Sequence, residues 1–111
     1  MLRAVATSSS GGGGSTAPVV YAIATVTTNT TLDATMFTVL SDDSGGNLLH
    51  GLPAAATCDG RLYCVKKLSA VNTTTIDPNG SELIDGASTL VLTTLNQNAW
   101  FQSNGTGWVV L

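Results

Sequence analysis

A chain of 111 residues with a net charge of −3 has room for one domain and one core. Its four cations, Arg3, Arg61, Lys66 and Lys67, form no stripe along which phosphates would bind, so nucleic acid is not expected as a partner. No apolar run reaches the roughly 18 residues of a membrane-crossing helix, so no membrane partner is expected either.

Residues 1–18 read as a low-complexity arm ending in Ser8-Ser-Ser-Gly-Gly-Gly-Gly-Ser-Thr-Ala-Pro18. Gly and Ser at this density behave as a flexible coil in isolation, and the same composition is that of an inserted linker. Ordering such an arm costs about 1–2 kcal/mol of backbone entropy per residue, which contacts with a neighbouring subunit would offset. Ser10, Gly11, Gly12, Gly13, Gly14 and Ser15 are therefore candidate docking residues. The apolar stretch after Met1 is too short for a signal peptide, which fits assembly in a cytoplasm.

Residues 19–111 read as one β domain. Val19, Tyr21, Ile23 and Thr25 share one parity, which predicts a half-buried strand. The threonine-rich segment 25–35 reads as a strand broken at Asn29. Residues 37–40 predict the next strand, closed by the turn Ser41-Asp-Asp-Ser-Gly-Gly46. Residues 47–52 follow and stop at Pro53, which cannot donate to a ladder. Residues 53–57 allow either one helical turn or a loop, and Cys58-Asp-Gly-Arg61 is a turn.

Further strands are predicted over 62–68, 73–76, 82–84, 89–93, 99–103 and 108–111. Asp77-Pro-Asn-Gly80 and Asp85-Gly86 supply turns, and Asn104-Gly-Thr-Gly107 closes a hairpin. About nine short strands at this spacing, with no amphipathic helix, predict an all-β fold: a small sandwich or barrel of antiparallel strands carrying an extended N-terminal arm.

Four features resemble a module of bacteriophage fibre and virion-surface proteins. They are Leu52-Pro53, the strand Tyr63-Cys-Val-Lys-Lys67, the run Thr75-Ile-Asp-Pro-Asn-Gly-Ser-Glu-Leu-Ile-Asp-Gly86, and the closing Ser103-Asn-Gly-Thr-Gly-Trp108. Each is mostly turn chemistry, and their order within 60 residues carries the resemblance. Asn98-Ala-Trp-Phe101 and Cys58 depart from the family pattern. The resemblance implies a small β module, often trimeric, on tail fibres, head fibres or decoration proteins. The short chain has no length for a fibre shaft, so a head-decoration role is expected, with the arm gripping the major capsid or another virion protein.

Composition agrees with an assembly subunit. Charged residues make up 10% of the chain and threonine occurs 17 times, a weakly charged surface suited to packing against sister subunits.

Candidate chemistry is sparse. His50, the single histidine, sits at a strand end with no serine or cysteine motif around it, and is expected at the surface or in an interface. Asp42, Asp43, Asp59, Asp77 and Asp85 fall in turns. Turn capping accounts for them more simply than calcium, whose loop spacing is missing. Trp100 and Trp108, with Tyr21 and Tyr63, allow a sugar-stacking face, and Trp100 and Phe101 point to opposite faces of one strand, so one of them is a candidate interface or glycan contact. Trp108 reads as core. Lys66-Lys67 either closes ion pairs or blunts an edge strand. Cys58 and Cys64 read as reduced thiols, with a hairpin disulfide as the alternative. Asn29-Thr-Thr, Asn72-Thr-Thr, Asn79-Gly-Ser and Asn104-Gly-Thr match the glycosylation pattern by accident of composition.

No cofactor, metal or catalytic residue is expected. The function expected is a non-enzymatic virion protein, a homo-oligomer assembled in the host cytoplasm. The alternative is a carbohydrate- or receptor-binding module that meets a host-surface glycan.

Overall fold

β-branched residues fit a pleated, half-buried surface better than a helix, and the chain folds almost wholly as strands. The computed structural model describes residues 17–111, so the arm candidates Ser10 to Ser15 lie outside the described residues. Within that range the strands are β1 (Ile23–Val26), β2 (Thr30–Thr31), β3 (Thr38–Ser41), β4 (Leu48–Gly51), β5 (Leu62–Lys67), β6 (Thr74–Asp77), β7 (Leu90–Leu92), β8 (Asn98–Ser103) and β9 (Trp108–Val110). One 3-10 turn, Ala55–Thr57, follows Pro53. The all-β expectation is met.

Two mixed sheets share the strands, the first in the order β1-β3-β5-β8-β9 and the second in the order β2-β4-β6-β7. Successive strands from β1 to β6 alternate between the sheets, and each of β1 to β4 pairs in parallel with the strand two places on. The chain therefore winds as a coil of three rungs, β1–β2, β3–β4 and β5–β6. Thr38 lies opposite Cys64 and Leu48 opposite Thr74, so both ladders advance by the same 26 residues (38 to 64, 48 to 74). β7, β8 and β9 then close the coil with antiparallel pairings.

This corrects the predicted antiparallel arrangement: four of the seven pairings are parallel. Parallel neighbours need a crossover, usually a helix. Here a strand of the opposite sheet serves as the crossover. The turn Ser41–Gly46 signals a change of direction, as its residues predict. It turns the corner from one sheet to the other instead of folding β3 back on itself.

The core joins both sheets. Val39, Tyr63, Val65, Phe101 and Trp108 from the first meet Ile76 and Leu92 from the second, with Leu32 and Ile84 filling in from connections. Phe101 and Trp108 pack edge to face at 5.9 Å between centroids, a favourable aromatic geometry. Trp108 is core, as predicted.

Other expectations need correction. Val19 and Tyr21 are exposed and precede regular strand, which begins at Ile23. Residues 82–84 form no strand; Ile84 makes isolated bridges to Ala87 and Trp108. Phe101 and His50 are each 0% exposed, so neither touches a partner or a glycan from this fold. Lys66 and Lys67 lie on β5, which has neighbours on both sides, so they blunt no edge. Cys58 and Cys64, by contrast, are free thiols as expected.

Candidate functional site

Two regions depart from the usual plan of apolar inside and polar outside. The first is a buried polar network at the corner where the rungs turn. Period-two alternation sends Lys66 to the outer face of β5 and Lys67 inward. Lys67 is fully buried and ion-paired with the equally buried Asp43, Nζ to Oδ2 3.0 Å. Its ammonium also donates to the carbonyls of Ser69 at 2.6 Å and Val71 at 2.8 Å. Asp43 accepts from the Ser69 hydroxyl and from Thr74 Oγ1, the latter at 3.0 Å. Burial raises the Asp43 pKa, but donors from Ser69, Lys67 and Thr74 outweigh it, and the carboxyl ends below its ordinary value.

The network continues through Thr74 Oγ1 to Ser41 Oγ at 2.8 Å, and from Ser41 Oγ to His50 Nε2 at 2.9 Å. His50 Nδ1 faces the Thr30 amide at 3.2 Å. Both ends set one direction for the protons. The Thr30 N–H has only a proton to give, so Nδ1 accepts and Nε2 carries the hydrogen. The ionised Asp43 only accepts, so Thr74 donates to it, Ser41 donates to Thr74, and His50 donates to Ser41. A serine beside a histidine suggests a nucleophile and its base. Here the imidazole donates to the hydroxyl, the reverse of what such a pair requires. Burial lowers the His50 pKa, and the Asp43 charge acts against that. The Thr30 amide, a donor aimed at Nδ1, sides with burial.

Asparagines stitch the same corner. Asn29, just before β2, accepts from the Leu49 N–H at 2.9 Å. Asn47, just before β4, accepts from the Thr73 N–H at 2.9 Å. Asn72 donates to the Asp43 carbonyl at 2.8 Å. Two of the apparent glycosylation matches, at Asn29 and Asn72, are therefore rung corners. Asp42 caps its turn by accepting from Ser44, as expected, and Asp33 does the same with Thr35. Asp43, expected to cap a turn, spends its carboxylate on Lys67, Ser69 and Thr74 instead.

The second region is the outer face of the first sheet. Ile23, Thr38, Cys64 and Trp100 lie in one row across β1, β3, β5 and β8. Phe37 lies between two aromatic neighbours, stacked on Tyr21 at 4.5 Å and edge-on to Trp100 at 5.8 Å. Cys64 is buried in this row, and that burial raises its thiol pKa. The rim is open: Ile23 is 65% exposed, Tyr21 41% and Trp100 40%. β1 is an edge strand whose first three residues are exposed on both faces, and Val19 and Val20 before it are exposed too.

Sequence reasoning found Trp100 and its opposition to Phe101. It grouped Tyr21 with Trp100 but missed Phe37 as the ring between them, included the buried Tyr63 and Trp108 in the same face, and placed His50 outside the core. The available signal for the corner was the recurring asparagine before a strand, Asn29-Thr-Thr, Asn47-Leu-Leu and Asn72-Thr-Thr. No signal of comparable strength marks Asp43 and Lys67 as partners. No family model and no curated protein matches this chain.

Proposed function

We propose that this chain is a non-enzymatic virion-surface module of the head-decoration or head-fibre type, packed as a small coiled sandwich against copies of itself. The observation that carries this reading is the bare apolar edge of the first sheet: Val19, Val20, Tyr21 and Ile23 are exposed along it, and Phe37 links Tyr21 to the open Trp100. An edge strand with free backbone groups and exposed apolar side chains is a template for another chain. The order of the Leu-Pro, Lys-Lys, Ile-Asp-Pro and Gly-Trp motifs supports the viral assignment. In this reading three copies cover the edge, the arm of residues 1–18 docks to the major capsid or a neighbouring virion protein, and the opposite end faces outward.

Light scattering and native mass spectrometry test it. The expected result is an oligomer, with a trimer favoured, and Ile23→Asp shifts it toward monomer without unfolding the domain. A wild-type protein that stays monomeric at high concentration would overturn the assignment.

A second reading, a carbohydrate-binding face, is favoured by the half-exposed Trp100 beside Tyr21 and Phe37. Rings of this kind offer an apolar face with a polar edge to a sugar. A glycan array with Trp100→Ala as control separates the two, because self-association predicts no signal lost with that substitution alone.

A further inference from the structure

The His50 junction has a consequence for one chain, whether or not the module associates. β2 has two residues and lies at the edge of the second sheet. Its ties to β4 include the Leu32 N–H to the Gly51 carbonyl at 2.8 Å, the Leu49 N–H to Asn29, and the Thr30 N–H to the His50 imidazole. The last depends on an unprotonated Nδ1. A proton there sets two donors face to face and turns an attraction into a repulsion, against which the Thr30 amide has only its ladder bond to β4.

We propose that His50 is an acid-operated latch on the first rung: proton uptake at Nδ1 expels the Thr30 amide and frees β2, with the chain before it, from β4. The charged groups around the ring are few. Asp43 from the β3–β4 corner favours the cation, and Lys67 on β5 neutralises Asp43. β2, β3 and β6 present Thr30, Ser41 and Thr74, none of which titrates in this range. Asp77 lies one register position further on, opposite Gly51. Because the folded pKa is depressed, the latch holds fully above the ordinary histidine value of 6.5 and weakens as pH falls below it.

The test pairs imidazole nitrogen NMR with amide hydrogen exchange, corrected for intrinsic rates. At about pH 7.5 the spectrum should show the Nε2–H tautomer. On acidification, protection at Thr30 and Leu32 should fall by up to about tenfold per pH unit, while β5 and β8 keep theirs. In His50→Asn, the amide oxygen accepts from Thr30 at any pH, so Thr30 protection should become independent of acid. An Nδ1–H tautomer at neutral pH, protection that is flat with pH, or equal loss in every strand would each overturn the latch. So would a folded H50N protein that keeps the wild-type acid response. The wild-type readings decide the matter even if the variant does not fold.

Discussion

The corner of the rungs and the outer face of the first sheet invert each other. At the corner, Asp43, Lys67, Thr74, Ser41 and His50 are polar and wholly buried. At the outer face, Ile23, Tyr21 and Trp100 are apolar and open. Burying polar groups is costly unless each is satisfied, and this network satisfies them in one direction, from amide to carboxylate. Such a network contributes little net stability over an apolar core of the same shape, but it penalises any slip of one rung against the next. An open apolar face contributes less to the isolated chain than the same side chains would if covered. The contrast assigns register to the corner, and in the proposed reading the face is left for association.

The largest effect should come from breaking the corner ion pair. Lys67→Ala leaves Asp43 buried and unpaired, at a cost of about 3–5 kcal/mol of folding stability measured by denaturant titration. The double variant Lys67→Met with Asp43→Leu should recover much of that loss, because no uncompensated charge remains. A loss of comparable size is expected for Phe101→Ala, about 3–5 kcal/mol, from area and cavity in the core. That variant should leave Thr73 amide protection in step with the rest of the sheet, whereas Lys67→Ala should reduce it selectively.

A smaller effect is expected at the asparagine stitches. Asn47→Ala removes the acceptor for the Thr73 N–H at an exposed corner, worth about 0.5–1.5 kcal/mol. The smallest belongs to the face. Trp100→Ala should change the stability of the dilute domain by less than about 1 kcal/mol while weakening association measurably. If the two variants traded places, with Trp100 costly and Asn47 neutral even in dilute protein, the division between corner and face would be wrong.

Strand content was legible because period-two alternation, threonine-rich stretches and turn residues are local signals. The opposition of Trp100 and Phe101 was legible for the same reason, since adjacent residues on a strand face opposite ways. Pairing partners were not legible. Ser41–Gly46 reads as a turn in either topology, and only the sheet that receives the next strand separates a hairpin from a coil. His50 and Lys67 were hidden for a related reason: a polar residue is buried only if distant partners satisfy it. Those partners, Thr30, Thr74 and Asp43, arrive from other rungs. Phe37 joined Tyr21 to Trp100 because the register of β1 with β3 brings together the segments just before those strands, which the linear chain does not display.

The most direct measurement of the central claim is hydrogen exchange over residues 19–26 as a function of protein concentration, with the β5 amides as internal reference. The account predicts that the edge strand gains protection as the protein is concentrated, and that Ile23→Asp abolishes the gain while β5 stays unchanged. Exchange over 19–26 that is the same in dilute and concentrated wild-type protein would contradict it.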